Sequence, residues 1–427
     1  MFQTKMYQMI NPCLLTQLLS LLVLVLVPAS CISRNVHHFS PFSPELQYIG
    51  RFSPSKQFDM PGTEIRATFQ LTGNSSNIKI TLSQKNSKIP KEHSGNTINS
   101  HFQGNAFVVY INDKRQGKGA YNASFSTDPA LRYNNKTHDF ALNDFPLAKG
   151  IYTVRILKVT EAQWNAGTPT PNYITFHGFQ IESTSLTIAP EKRNTLISTS
   201  PSPILLSSPP LPKRKIEFLG DSITAGFCNL CQYNSSPIVN HDESYGMSWD
   251  YQIGQLLNAQ VHTAAWSGFG LIHNCCGGNT TMPSIFTRTL ATFNMDNTWN
   301  YTNWLPNVLV INLGTNDGTY ALKDQYTLAY IQLIQDVYSK YYNKDSNNDF
   351  HIFLACGPMT EIYCQPVFRI IHNMSVVSPH INISFLDQRG FLNGSFGKAC
   401  CGHPSIHVDT AMAKSGATII GNVMGWL

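Results

Sequence analysis

Residues 216–225 read IEFLGDSITA. An apolar, strand-like run stops at Gly220, and Asp221 and Ser222 follow in what must be a sharp turn. A serine placed there either caps a helix or stands at the edge of a sheet as a nucleophile. For an isolated Gly-Asp-Ser the cap is the commoner role. The decision rests on what the rest of the chain brings to the same place.

Downstream of Ile216, apolar runs alternate with stretches of helical period. KIEFLG, AQVHTAAW, VLVINLG, DFHIFLACG and NISFLD read as five strands. SWDYQIGQLLNA, KDQYTLAYIQLIQDVYSKYY and DTAMAKSGATIIGNVM read as helices between and after them. Near-continuous apolar strands alternating with helices predict a parallel sheet covered on both faces. Chemistry in such sheets gathers at the carboxyl ends of the strands. Ser222 follows the first strand directly, AAWSGFG closes the second and INLGTNDGT closes the third. Gly268 therefore offers an unobstructed backbone N–H and Asn316 an amide donor beside the serine. Together they make an oxyanion site suited to acyl transfer. The missing base is found in CCGHPSIHVD, where His403 is held by Pro404 and precedes the final helix.

Upstream the pattern changes. Between about 48 and 187 the chain is a series of short β-rich runs (EIRATFQL, IKITLSQ, NAFVVYIND, GIYTVRILKVTEA, YITFHGFQIE) separated by Asn, Gly, Pro and Ser. That spacing predicts a β-sandwich over residues 45–189, built without a cysteine. Residues 190–213 hold six prolines and seven Ser/Thr, the composition of an extended linker; packing along one domain as an ordered strap is the alternative. The second domain is expected over 214–427, with the boundary near 210.

Nothing in the composition favours nucleic acid: charged residues are 13%, the formal charge is +5, and no Lys/Arg-rich block occurs. Lys5 followed by the apolar run of residues 14–27 and the small residues PASCIS reads as a secretory signal peptide over 1–31, cleaved after Ala29 or Cys31. The run is short for a membrane anchor, and the C-terminal ATIIGNVMGWL reads as a closing amphipathic helix rather than a lipid-anchor signal. Nine Asn-x-Ser/Thr sequons, at Asn74, Asn122, Asn135, Asn234, Asn279, Asn300, Asn373, Asn382 and Asn393, agree with a secreted, extracellular glycoprotein. Eight cysteines beyond Cys31 all lie in the second half, an even number that suggests disulfides. Cys228 and Cys231 have zinc-like spacing, but no second pair follows at finger distance, so no metal is expected.

The ordered set GDSIT, WSG, GTND and GHPS resembles the Ser-Gly-Asn-His (SGNH, or GDSL-type) hydrolases. The resemblance extends to carbohydrate esterase family 2, which sets a jelly-roll-like β-sandwich before an α/β SGNH-hydrolase domain with a five-stranded parallel sheet. YIGRF, MPGTEI, LAKGIYTVRILKVTEA, FHGFQIE and KRKIEFLGDSITAGF all look like that family, so the likeness covers about residues 45–427.

The resemblance implies that Ser222 is the nucleophile, that His403 is the general base and then acid, and that the Ser222 and Gly268 N–H groups with the Asn316 side chain form the oxyanion hole. It implies a cofactor-free acetyl xylan esterase acting on acetylated polysaccharides such as xylan or glucomannan. One position departs from the wider superfamily: Cys400 stands three residues before the histidine, where an aspartate is usual. A Ser-His dyad with the imidazole oriented by a backbone carbonyl is the reading, against Asp387 or Asp409 supplying a carboxylate, or His407 acting as the base. Cys400 also suggests that a disulfide fixes this loop. Trp266 and Asp317 are candidate substrate contacts, while Asp221 and Asp317 are expected to order turns rather than react. Trp266 and Phe269 are candidate stacking surfaces for a sugar ring, with packing in the core an equally open reading for each, and Trp299 and Trp304 are candidates for a cleft rim. The rival functions are a non-catalytic glycan-binding protein and a GDSL-type lipase.

Overall fold

The computed structural model describes residues 30–73, 75–85, 104–117, 123–127, 136–162, 172–188, 202–235, 242–292, 297–318, 323–342, 350–393 and 397–427. The expected signal segment up to residue 29 and the first part of the expected linker, 190–201, lie outside them.

The N-terminal region is two antiparallel sheets packed face to face. One is ordered β1 (Ser30–Phe39), β11 (Ile174–Ile188), β5 (Ser75–Gln84), β9 (Thr137–Ala141), with the short β3 (Gln57–Phe58) also on β11. The other runs β12 (Ile204–Leu206), β4 (Glu64–Leu71), β10 (Gly150–Lys158), β6 (Ala106–Ile111), β7 (Lys114–Arg115), with β2 (Gln47–Ile49) on β4 and β8 (Phe125–Ser126) on β6. Strand alternation supplies the core: in β5 every second residue is buried, including Ile78, Ile80 and Leu82. They meet Phe69, Val109, Ile156 and Phe176 from neighbouring strands in one apolar cluster. The stretch read as a linker is partly an ordered strap, since β12 pairs antiparallel with β4 through Leu205 opposite Phe69.

The C-terminal half is a five-stranded parallel sheet, β14 (Ala259–Ala265), β13 (Arg214–Gly220), β15 (Val308–Asn312), β16 (His351–Cys356), β17 (Asn382–Asp387). Numbered from its first strand the order is 2-1-3-4-5, so the chain reverses direction across β13 and leaves a crevice at that strand's carboxyl end. Burial on both faces explains the unbroken apolar runs; all five residues of β15 are buried. After the one-turn helix α1 (Ser222–Ala225), helix α2 (Trp249–Leu256) covers one face together with the C-terminal helix α6 (Ile406–Val423), through Trp249, Ile253, Met412 and Ile420. The short α3 (Met282–Phe286), α4 (Lys323–Tyr341) and α5 (Cys364–Val377) pack on the other, through Ile285, Tyr330, Ile334 and Val367.

The two halves share buried polar ties. Arg51, 1% exposed, reaches from the sandwich region to Glu217 on β13 at 2.9 Å and to the carbonyls of Phe286 and Arg288 at 2.5 and 2.7 Å. Asp59 accepts the N–H groups of Ala291 and Thr292, each at 2.9 Å. Burial raises the Asp59 pKa, and these bonds pull it back.

Candidate active site

Gly220 ends β13 because nothing larger fits: a Cβ there would lie 2.1 Å from Thr224 Oγ1, one turn into α1. Asp221, not the serine, caps that helix, its Oδ1 accepting the Ile223 N–H at 3.0 Å. Ser222 is thus the first helical residue, 4% exposed, with its backbone N–H among those that a helix start leaves without an intrahelical partner. Its hydroxyl donates to His403 Nε2 at 2.7 Å. His403 Nδ1–H donates to the Cys401 carbonyl at 3.1 Å, which selects the tautomer that leaves Nε2 free to accept. Desolvation holds the His403 pKa below its ordinary value, so the ring is neutral near pH 7. Phe227 closes over it edge-on, with ring centres 5.2 Å apart.

Among the described residues, Nδ1 of His403 meets a backbone carbonyl and no carboxylate. Asp387 is engaged by Arg389 at 2.8 Å, and Asp409 is buried on α6, accepting from Asn229 Nδ2 at 3.0 Å. His407 is exposed on the first turn of α6. Cys400 is bonded to Cys231 and Cys401 to Cys228, so two adjacent disulfides anchor the His403 turn to the loop that follows α1. These four sulfurs all lie within 4.8 Å of one another. The other pairs are Cys356–Cys364 and the neighbours Cys275–Cys276. Inside the turn, the Ala399 N–H bonds the His403 carbonyl at 2.7 Å and the Ser405 N–H bonds that of Gly397 at 2.8 Å.

At the end of β14, Gly268 has φ of +84°, which favours glycine, and its carbonyl accepts the Cys275 N–H at 3.0 Å. Asn316, beyond β15, donates through Nδ2 to the Phe269 carbonyl at 2.9 Å and to Asp221 Oδ2 at 3.2 Å, tying together the ends of three strands. Asp317 is fully buried and accepts the N–H groups of Leu271, Ile272 and His273 at 2.9, 2.7 and 2.9 Å. Of the two roles expected of Asp317 the structure shows turn ordering and not substrate contact, since its carboxylate is taken up by the 268–275 loop. Burial, with Asp317 and Glu161 nearby, pushes the Asp221 carboxyl up to about 7.

The aromatics divide differently from expectation. Trp266 is 7% exposed and stacked on Phe269 with centroids 4.6 Å apart, within the core. Trp299 and Trp304 are likewise buried, Trp304 lying flat on His262 at 3.6 Å, and they form no rim. Sequence reasoning missed Glu161, whose Oε2 accepts the Ser267 N–H at 2.6 Å from the sandwich side. Its only signal was a lone acid at the end of a strand, KVTEA.

Parallel order 2-1-3-4-5, with the serine on the first strand's exit and Gly, Asn and His converging on it, defines the SGNH class of hydrolase fold. Cellulase/esterase CelE of Acetivibrio thermocellus is 30% identical over 343 residues, covering 78% of this chain and 37% of that protein. An acetylxylan esterase / glucomannan deacetylase of Cellvibrio japonicus is 28% identical over 216 residues, 46% of this chain and 52% of that one. A family two carbohydrate esterase from Clostridium thermocellum, solved in complex with cellohexaose, superposes with a TM-score of 0.68 at 24% identity, covering 90% of this chain and 100% of that chain. The chain is thus similar in sequence to these esterases and shares the fold of the family two carbohydrate esterases over most of its length. It spans about a third to a half of the length of the curated relatives it matches. No family model matches it.

Proposed function

We propose that the protein is a secreted serine esterase that removes O-acetyl groups from plant polysaccharides such as xylan or glucomannan. The observation that carries this reading is the 2.7 Å contact between Ser222 Oγ and His403 Nε2, with Nδ1 held by a backbone carbonyl. The Cellvibrio relative's name supplies the substrate class.

In this mechanism His403 takes the Ser222 proton as Oγ attacks the acetyl carbonyl carbon. The resulting oxyanion is met by the Ser222 and Gly268 N–H groups and by Asn316 Nδ2, whose longer bond, to Asp221, is the one exchanged. Collapse breaks the carbon–oxygen bond to the sugar, and the imidazolium returns its proton to the departing sugar oxygen. Water, deprotonated by His403, then attacks the acetyl-serine and releases acetate. The sum is ester plus water giving sugar hydroxyl and acetic acid, with no cofactor.

The sandwich unit to about residue 189 and the hydrolase unit from about 214 are parts of this one reading. Secretion is supported by the sequons: Asn234, Asn279, Asn300, Asn373, Asn382 and Asn393, those within the described residues, are all exposed. No described helix is long and apolar enough to cross a membrane.

The test is acetate release from acetylated xylan and acetylated glucomannan by the secreted protein, beside Ser222→Ala and His403→Ala. Release by wild type that is lost in both variants is expected. No release by folded wild type, on either polymer or on a small acetyl ester, would leave a glycan-binding protein as the better account. Faster turnover of octanoyl than acetyl esters would favour the lipase reading.

A further inference from the structure

Where the chain leaves β10 it enters the hydrolase half and stays there for several residues. The Val159 carbonyl accepts the Tyr245 N–H at 2.8 Å, and Ala162 sits in the same core cluster as Trp266 and Phe269. Between them lies Glu161, 8% exposed. Its Oε2 accepts the Ser267 N–H at 2.6 Å, and its own N–H donates to Glu243 Oε1 at 2.5 Å. Lys158, fully buried, donates from Nζ to the Glu161 carbonyl at 2.9 Å and also to the carbonyl of Thr160. The carboxylate is therefore fixed at both ends, by its backbone and by its head group.

Burying two carboxyls and an ammonium carries a desolvation cost that an apolar junction would avoid. Stability is a poor reason for keeping them; position is a better one. Ser267 immediately precedes Gly268, so holding the Ser267 N–H restrains the peptide plane on one side of that residue. The next plane carries the Gly268 N–H. Gly268, at φ +84°, has the backbone freedom to let that group swing unless its neighbours are held. On the far side the turn is held by Asp317 and by the Cys275 N–H on the Gly268 carbonyl. On the near side Glu161 supplies the side-chain restraint, and it comes from the sandwich.

We propose that Glu161 is a positioning residue for the oxyanion hole: the sandwich supplies, through its carboxylate on the Ser267 N–H, the restraint that aims the Gly268 N–H at the reacting carbonyl. This rests on the esterase reading above. It makes the sandwich part of the catalytic scaffold rather than an appended module.

The experiment compares full-length wild type with Glu161→Ala, Glu161→Gln and Glu161→Asp, using steady-state hydrolysis of a small acetyl ester and amide hydrogen exchange of the 262–270 segment. Removing the restraint costs part of an oxyanion donor, so Glu161→Ala lowers kcat by about tenfold to a hundredfold with KM changed less than about twofold. Glu161→Gln keeps an acceptor oxygen at the same reach and recovers most of kcat. Glu161→Asp keeps the charge but falls short by one methylene, and resembles Ala in both kcat and faster exchange. If Ala does not fold, the contrast between Gln and Asp carries the test. Asp active with Gln impaired would assign the role to charge, and Gln and Asp equally active or equally impaired would also overturn the proposal. Exchange at 262–270 unaltered in Ala and Asp would overturn it whatever the activity. An inactive wild type whose exchange still follows the Gln–Asp order would instead refute the esterase reading and leave the restraint standing.

Discussion

Cys228–Cys401 and Cys231–Cys400 span 173 and 169 residues but lie side by side, and that arrangement makes a quantitative prediction. Taken alone, either bridge closes a loop of roughly 170 residues, worth about 5 kcal/mol in the chain-entropy account. With its neighbour intact, the second bridge closes only a ring of about six residues and adds about 2 kcal/mol. Replacing Cys228 and Cys401 by alanine, or Cys231 and Cys400, should therefore cost about 2 kcal/mol each, whereas replacing all four should cost about 7 kcal/mol. The two removals are coupled by about 3 kcal/mol, far beyond the scatter expected of independent sites. Urea unfolding followed by tryptophan fluorescence is the assay, since five of the six tryptophans (Trp249, Trp266, Trp299, Trp304 and Trp426) lie in the hydrolase half. Because the same bridges hold the His403 turn, kcat should survive either single removal and fall by about tenfold or more when both are lost. Additive losses of about 5 kcal/mol each, or a four-alanine variant no less stable than the two-alanine ones, would refute the reasoning.

Three further outcomes are expected. His403 has its pKa lowered by burial, and its imidazolium cannot accept the Ser222 proton; kcat/KM should therefore rise with pH and reach its plateau below neutrality, and an acid limb centred above pH 7 would contradict the assignment. Arg51→Met strands Glu217 on the sheet's first strand without its cation and should cost about 3–5 kcal/mol in urea unfolding; adding Glu217→Gln should return part of it, and no recovery would show that the charge pair is not the cause. Asp317→Ala leaves three backbone N–H groups without their acceptor and should cost at least about 3 kcal/mol while lowering kcat more than it raises KM. A pure KM effect would return Asp317 to the role of a substrate contact.

Four of the five parallel strands were legible as apolar runs, because a strand buried on both faces has no polar side to confuse its period; β17, only half-buried, was read from the shorter NISFLD. Helix α5 was not anticipated: its half-exposed CQPVFRIIHNMSVV follows a strand and a proline-containing turn with no capping side chain to announce it. In the sandwich, β4 to β6, β10 and β11 lie where alternation placed them. The outer strands β1 and β12 escaped, since β1 pairs with β11 about 150 residues away and β12 with β4 about 135 away, and neither carries a local turn signal. The rim expected at Trp299 and Trp304 failed for a related reason. Trp304 looks the same in a sequence whether it faces solvent or stacks on His262.

The order of elements, the parallel sheet and the candidates Ser222, Gly268, Asn316 and His403 could be read along the chain, because each follows a recognisable strand end or turn. The fold had to close before it was settled which carbonyl holds the histidine, which cysteines pair, and that an acid from the sandwich reaches the turn before Gly268. The reach of His403 to Ser222, the two bridges on its turn and the reach of Glu161 to Ser267 all join residues more than 100 apart. Local propensity and periodicity carry no information about such contacts; they exist only once two separately patterned cores have closed on one another.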